Sequence, residues 1–334
     1  MKAWVLLAAL FLGGLCCAAL LPILKRLKAG QEILSYVAEH KGKSGTPTMG
    51  GLAFMAATGI CCLFMLGQNN TLALLAFLVS LAYCFVGLLD DVIKLKYKRN
   101  EGLMAYQKII VQLLVAIIVA LFVYHNPYVG SKMVIPFTQN EVELGWWSVP
   151  LIIFVFLSVT NGVNLTDGLD GLASSVTICY LGITVLLITF FKNQALLAGE
   201  TLVAAEYDGM IILLLIYIGA LAAFMLFNCN PAYMFMGDTG SMALGGIVAC
   251  GSIFTKMTLF IPIIGVMFVI SCVTVLFQVS YFKATKGKRL FLMSPYHHHL
   301  QKKGLSEWRI GVIYCLATLI MGGVVLLFYR GGGV

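Results

Sequence analysis

Several short polar segments interrupt an otherwise apolar chain, and their side chains are of the types that bind metal or phosphate and move protons. In Gly87-Leu88-Leu89-Asp90-Asp91-Val92-Ile93-Lys94, two adjacent carboxylates precede a lysine one helical turn beyond Asp90. An i,i+4 ion pair closing a helix accounts for the spacing on structural grounds alone. Ionisable groups at the edge of hydrocarbon are nevertheless costly and by default functional, and two neighbouring acids do not both ionise easily without a cation beside them. A metal ion or a lysine would supply that cation.

Four further segments share this character. In Asn161-Gly162-Val163-Asn164-Leu165-Thr166-Asp167-Gly168-Leu169-Asp170-Gly171, the residues Asn164, Asp167 and Asp170 recur at a three-residue interval and share a face if the segment is helical. The stretch from Asn228 to Ser241 contains Met236-Gly237-Asp238-Thr239-Gly240. Asp170 and Asp238 could each serve as a helix cap. Capping does not require so many glycines and polar groups together, and glycines beside a free helix N-terminus also suit close approach of a phosphate or its metal. Lys43-Ser44-Gly45-Thr46-Pro47-Thr48-Met49-Gly50-Gly51 is a basic, hydroxyl-bearing turn without the Lys-Ser/Thr ending of a nucleotide P-loop. Ser294-Pro295-Tyr296-His297-His298-His299 fits a solvated loop, a metal site or an anion clamp equally well. Together, the acids, lysines and histidines describe a pocket for Mg²⁺ and an anionic, phosphorylated substrate.

The elements that must position these groups are membrane helices. Hydrophobic residues make up 60% of the 334 and charged residues 11%, a balance that excludes a water-soluble domain. Ten apolar runs stand out, at about 3–24, 50–67, 71–89, 108–124, 149–163, 172–191, 209–227, 241–255, 259–282 and 309–329. They are apolar all round rather than alternating, which excludes a β-barrel and predicts an all-α polytopic fold. The first run follows Lys2 but lacks the Ala-x-Ala site of a signal peptide, so it reads as a helix. The cysteines lie mostly within apolar runs, as small hydrophobes, and show no zinc or disulfide spacing.

Charge orients the bundle. Of the 22 Lys and Arg residues, 17 fall in the gaps after the first, third and ninth runs, counting Lys108 and Arg309 at the very edges of the runs that close them. Odd-numbered gaps are therefore expected on the cytoplasmic side, with both termini outside. The nearly base-free gaps after the fifth and seventh runs then share that side, so every polar motif collects on one face. Gly130 to Trp147, with Pro136 and paired tryptophans, is expected as an external loop or short hairpin.

In order and in detail, these motifs resemble the phospho-N-acetylmuramoyl-pentapeptide transferase family, within the wider polyprenyl-phosphate N-acetylhexosamine-1-phosphate transferases. The carriers are Gly45 to Gly51, Asp90-Asp91 with Lys94, Asn164 to Gly171, Met236-Gly237-Asp238 with Gly240-Ser241, and Pro295 to His299. The resemblance implies one transferase domain over 1–334 with ten helices, homodimeric, among membrane lipids and without nucleic acid. It implies transfer of phospho-MurNAc-pentapeptide from UDP to undecaprenyl phosphate, yielding lipid I and UMP, in the bacterial inner membrane with the site on the cytoplasmic face.

By the same resemblance Asp90, Asp91 and Asp238 are the essential acids, Asp238 holding Mg²⁺. Asn164, Asp167, Gly168, Leu169 and Asp170 line the nucleotide site, with Phe235 near the uracil. Lys43, Thr48, Lys94 and Lys108 face phosphates, and His297, His298 and His299 sit at the mouth. One departure is visible: after Gly30-Gln31, where relatives often carry Arg, this chain has Leu34. Two other functions compete. A sister transferase would use UDP-GlcNAc, although its relatives usually carry a different histidine pattern. A cation-coupled transporter also needs intramembrane acids, but the chain shows no internal repeat and its acids sit at loop edges.

Overall fold

A computed structural model describes residues 2–27, 45–67, 70–97, 102–138 and 140–331. Lys43 and the Gly30-Gln31 stretch lie outside these. Among the described residues the helices are α1 (Ala3–Arg26), α2 (Gly51–Met65), α3 (Thr71–Tyr97), α4 (Ala105–His125), α5 (Ser148–Thr166) and α6 (Leu172–Leu197), followed by α7 (Thr201–Asn228), α8 (Gly237–Ile253), α9 (Ile261–Ile264), α10 (Val266–Ala284), α11 (Tyr296–Lys302) and α12 (Glu307–Gly331). Each apolar run but the ninth has become one helix, and the fold is an all-α, multi-pass membrane protein. Eight helices, α1, α3 to α7, α10 and α12, are long and apolar enough to cross a bilayer. The ninth run is broken at Gly265 into α9 and α10.

Of the remaining four helices, α2 and α8 come nearest to spanning length but fall short of it. At about 1.5 Å per residue, the 15 residues of α2 and 17 of α8 reach only about 22 and 25 Å, below the roughly 30 Å of hydrocarbon. Every residue of α8 from Thr239 to Ile253 is buried in protein, chiefly against α3 and α5. Because it meets helices instead of lipid, α8 can carry glycine and serine where a lipid-facing helix would carry leucine.

Three glycines allow this sheathing. Gly51 of α2 lies directly against Gly240 of α8, and a methyl on Gly87 of α3 would overlap the Asp238 carbonyl. Gly87→Ala is therefore expected to push α3 off the start of α8, costing about 1–3 kcal/mol. A lowered melting temperature in detergent would register the cost, and loss of transfer activity the displacement. Polar side chains also bond across helices inside the bundle, as hydrocarbon favours. Tyr217 donates to Ser80 (2.7 Å), which donates to the Ala243 carbonyl (2.8 Å), tying α7, α3 and α8 together.

At the far ends of α4 and α5, β1 (Lys132–Val134) and β2 (Glu141–Glu143) pair antiparallel, Met133 opposite Val142. This is the hairpin expected between Gly130 and Trp147. Trp146 and Trp147 beside it are exposed, as interfacial aromatics are.

Candidate active site

The C-terminal ends of α3, α5, α7 and α10 and the N-terminal ends of α4, α6, α8 and α12 meet at one end of the bundle. That end carries the polar motifs. Its centre is Asp238, in the first turn of α8. Lys94 Nζ and Lys108 Nζ each lie 2.9 Å from Asp238 Oδ2, while Asn164 Nδ2 donates to Asp238 Oδ1 at 2.7 Å and to Ser241 Oγ at 2.8 Å. Lys94 also reaches Asp90 Oδ2 at 2.6 Å and Asp91 Oδ1 at 3.9 Å. Helices α3, α4, α5 and α8 thus each supply part of one cluster. Three acids facing two ammonium groups leave one formal negative charge.

The adjacent acids have different partners. Asp90 accepts from the Leu103 amide (2.8 Å), and Gly102 packs on its carboxylate. Asp91 is turned to the start of α8, accepting from the amides of Asp238 (3.3 Å) and Thr239 (2.9 Å) and from the Thr239 hydroxyl (2.7 Å). A carboxylate of α3 thereby satisfies the unpaired first amides of α8.

Oxygens of Asp90, Asp91 and Asp238 can all lie within 4.8 Å of one another. This all-oxygen, net-negative donor set suits a hard divalent cation. Thr48 adds a buried hydroxyl with no hydrogen-bond partner, and both it and Asp91 Oδ2 border the vacant β-position of Gly237. Its turn is held to the loop before α8 by Phe235 N to Pro47 O (2.8 Å) and Gly50 N to Phe235 O (2.9 Å). Phe235 is half-buried at this junction.

The Gly168 loop forms a second wall. The rings of His297 and His298 pack against Gly168, and His297 is fully buried beside Tyr314. His299 turns elsewhere: its Nδ1 accepts from the Leu292 amide (3.2 Å) and its ring stacks on Tyr296. Leu169 is buried. Asp170 accepts from Asn230 Nδ2 (3.3 Å) and the Ala232 amide (3.1 Å), fastening this loop to the one after α7. Neither Asp170 nor Asp238 caps a helix through its side chain. Asn228, not singled out by sequence, instead accepts from the Gly171 amide (3.2 Å) and Ser174 hydroxyl (3.2 Å) at the start of α6. Gln112 was also missed; it accepts from Asn161 at 2.8 Å, one turn of α5 before Asn164. A lone glutamine in an apolar run was the available signal.

Burial first, and then the charges of Asp238, Asp91 and Asp170, hold the Asp167 carboxyl well above the usual carboxylate range. With its pKa higher folded than unfolded, ionising Asp167 weakens the fold as pH rises from the unfolded carboxylate range through the raised value. Asp167→Asn removes that cost. Its melting temperature relative to wild type is expected to climb with pH across this window, and a flat difference would contradict the assignment.

Carboxylates, lysines and an amide gathered at one end of a multi-pass bundle mark a membrane protein with a candidate active site at that end. The glycosyl transferase family 4 model matches residues 73–256, and the phospho-N-acetylmuramoyl-pentapeptide-transferase signature 1 matches residues 43–55. The chain is 41% identical over 303 residues to the phospho-N-acetylmuramoyl-pentapeptide-transferase of Clostridium novyi (strain NT), covering 90% of this chain and 89% of that protein. It is 39% identical over 308 residues to that of Clostridioides difficile (strain 630), covering 92% and 91% respectively. The chain belongs to the phospho-N-acetylmuramoyl-pentapeptide-transferase family.

Proposed function

We propose that this protein transfers phospho-MurNAc-pentapeptide from UDP-MurNAc-pentapeptide to undecaprenyl phosphate, releasing UMP and forming lipid I for peptidoglycan synthesis. The convergence of Lys94, Lys108 and Asn164 on Asp238 carries this reading, with family membership behind it. The protein works as a homodimer in the bacterial inner membrane, its site on the cytoplasmic face where the soluble nucleotide arrives. Basic residues concentrated in the odd gaps support that orientation.

Phosphoryl transfer between anions depends on alignment and charge neutralisation. A phosphate oxygen of undecaprenyl phosphate attacks the sugar-bearing phosphorus; the new O–P bond forms as the bond to the UMP oxygen breaks. Lys94 and Lys108 offset charge on the phosphates, and Thr48 offers its unpartnered hydroxyl. Asp90 accepts any proton left on the attacking phosphate; Asp91 is committed to the amides of α8. Asp238, with Asp90 and Asp91 nearby, would hold Mg²⁺, which when bound stabilises negative charge on the departing UMP. Asp167, Gly168, Leu169 and Phe235 contact the nucleotide, Asp170 holds their loop, Lys43 contributes from the first polar gap, and His297 and His298, with His299 behind them, border the sugar-peptide.

The test is UMP and lipid I formation by detergent-purified protein given undecaprenyl phosphate, Mg²⁺ and either UDP-MurNAc-pentapeptide or UDP-GlcNAc. Turnover with the muramoyl-peptide alone supports the proposal. Turnover with UDP-GlcNAc alone would reassign the substrate, and folded protein inactive with both would overturn the transferase reading.

A further inference from the structure

The same end of the bundle contains a separate cavity of about 760 Å³, between the last turns of α10 and the loop leading into α11. Lys283, Arg289 and Lys302 line it together with apolar side chains. None of its lining residues belongs to the acid–lysine cluster. Helix α11 stands between the two sites, with His297 against Gly168 and Lys302 on the cavity.

This cavity is strongly cationic and prearranged. No Asp or Glu occurs in the sequence between Asp238 and Glu307, and among the described residues no carboxylate pairs with Lys283 or Arg289. Gln278 accepts from the amides of Leu290 (3.1 Å) and Phe291 (2.8 Å), pinning the loop, and Arg289 Nη1 donates to the Leu292 carbonyl at 3.3 Å. Membrane orientation requires basic residues in such a gap but not their convergence on one cavity.

The surroundings select the anion. Val279, Phe282 and Leu292 at the cavity are exposed, and Leu276, Phe277 and Tyr281 continue an exposed apolar surface along α10. A soluble phosphate gains nothing from that surface, whereas acyl chains do. We propose that the cavity binds an anionic phospholipid of the bilayer, its phosphate held by Lys283, Arg289 and Lys302 and its chains along α10. The lipid that reacts must reach Asp90 and Asp238; this one braces the far side of α11 and so steadies His297 against Gly168.

Wild-type protein and the combined variant Lys283→Gln, Arg289→Gln, Lys302→Gln would be reconstituted in nanodiscs of phosphatidylcholine with a minor share of phosphatidylglycerol. Retained lipid is then read by native mass spectrometry after transfer to detergent. Wild type is expected to keep phosphatidylglycerol selectively. Each cation contributes about fivefold at a membrane surface, so the triple variant should bind about a hundredfold more weakly and Arg289→Gln alone about fivefold. Lys96→Gln, outside the cavity, should match wild type. Undiminished retention by both cavity variants would overturn the site. Displacement by equimolar undecaprenyl phosphate would reassign it to the acceptor, and displacement by inorganic phosphate at matching concentration would remove the lipid from the proposal.

Discussion

Asp238→Asn is expected to slow lipid I formation by about 10²- to 10³-fold while leaving the bundle folded, measured as UMP release at saturating substrates alongside the melting temperature. The substitution keeps the size of the side chain but removes the charge on which Lys94 and Lys108 converge. It also places an amide nitrogen where an oxygen can accept from Asn164. The amides of Asp238 and Thr239 still meet Asp91, so the start of α8 keeps its place. A variant within tenfold of wild type would remove Asp238 from the centre of the reaction.

Lys94→Met should damage both catalysis and stability. Its ammonium lies within 4.0 Å of all three acids, and Asp90 and Asp91 are almost wholly buried. Removing the shared cation leaves buried carboxylates facing one another, a loss of about 3 kcal/mol of stability or more. Adding Asp90→Asn to Lys94→Met relieves part of that repulsion, so the double variant should melt above the single one yet stay inactive. Recovery of turnover with recovery of stability would mean that Lys94 serves the fold alone.

What the sequence disclosed depended on range. The Asp90–Lys94 pairing is local, set by helix geometry, and the distance of 2.6 Å matches it. The apolar runs were equally legible because lipid imposes composition residue by residue. Asp91 as the cap of α8 was not legible, because it depends on how α3 crosses a helix nearly 150 positions away. Reading Asp170 and Asp238 as caps of the helices that follow them assumed that caps are local. Both ends are satisfied from other helices, by Asn228 and Asp91. The three consecutive histidines offered no clue to their division, since it depends on which side of α11 each ring leaves. The reach of α2 and α8 escaped notice for a related reason: hydropathy measures avoidance of water and does not tell a lipid neighbour from a protein one.

The enclosure of α8 bears on how the molecule is made. A helix with so many small residues and an aspartate at its leading edge has little reason to partition into lipid by itself, so its insertion has to be cooperative, guided by α3 and α5, which precede it in synthesis. Biogenesis and catalysis then share a step. When α8 docks, its amides meet Asp91 and Asp238 comes between the two lysines in the same movement, so the acid–lysine cluster cannot be complete before that helix is in place.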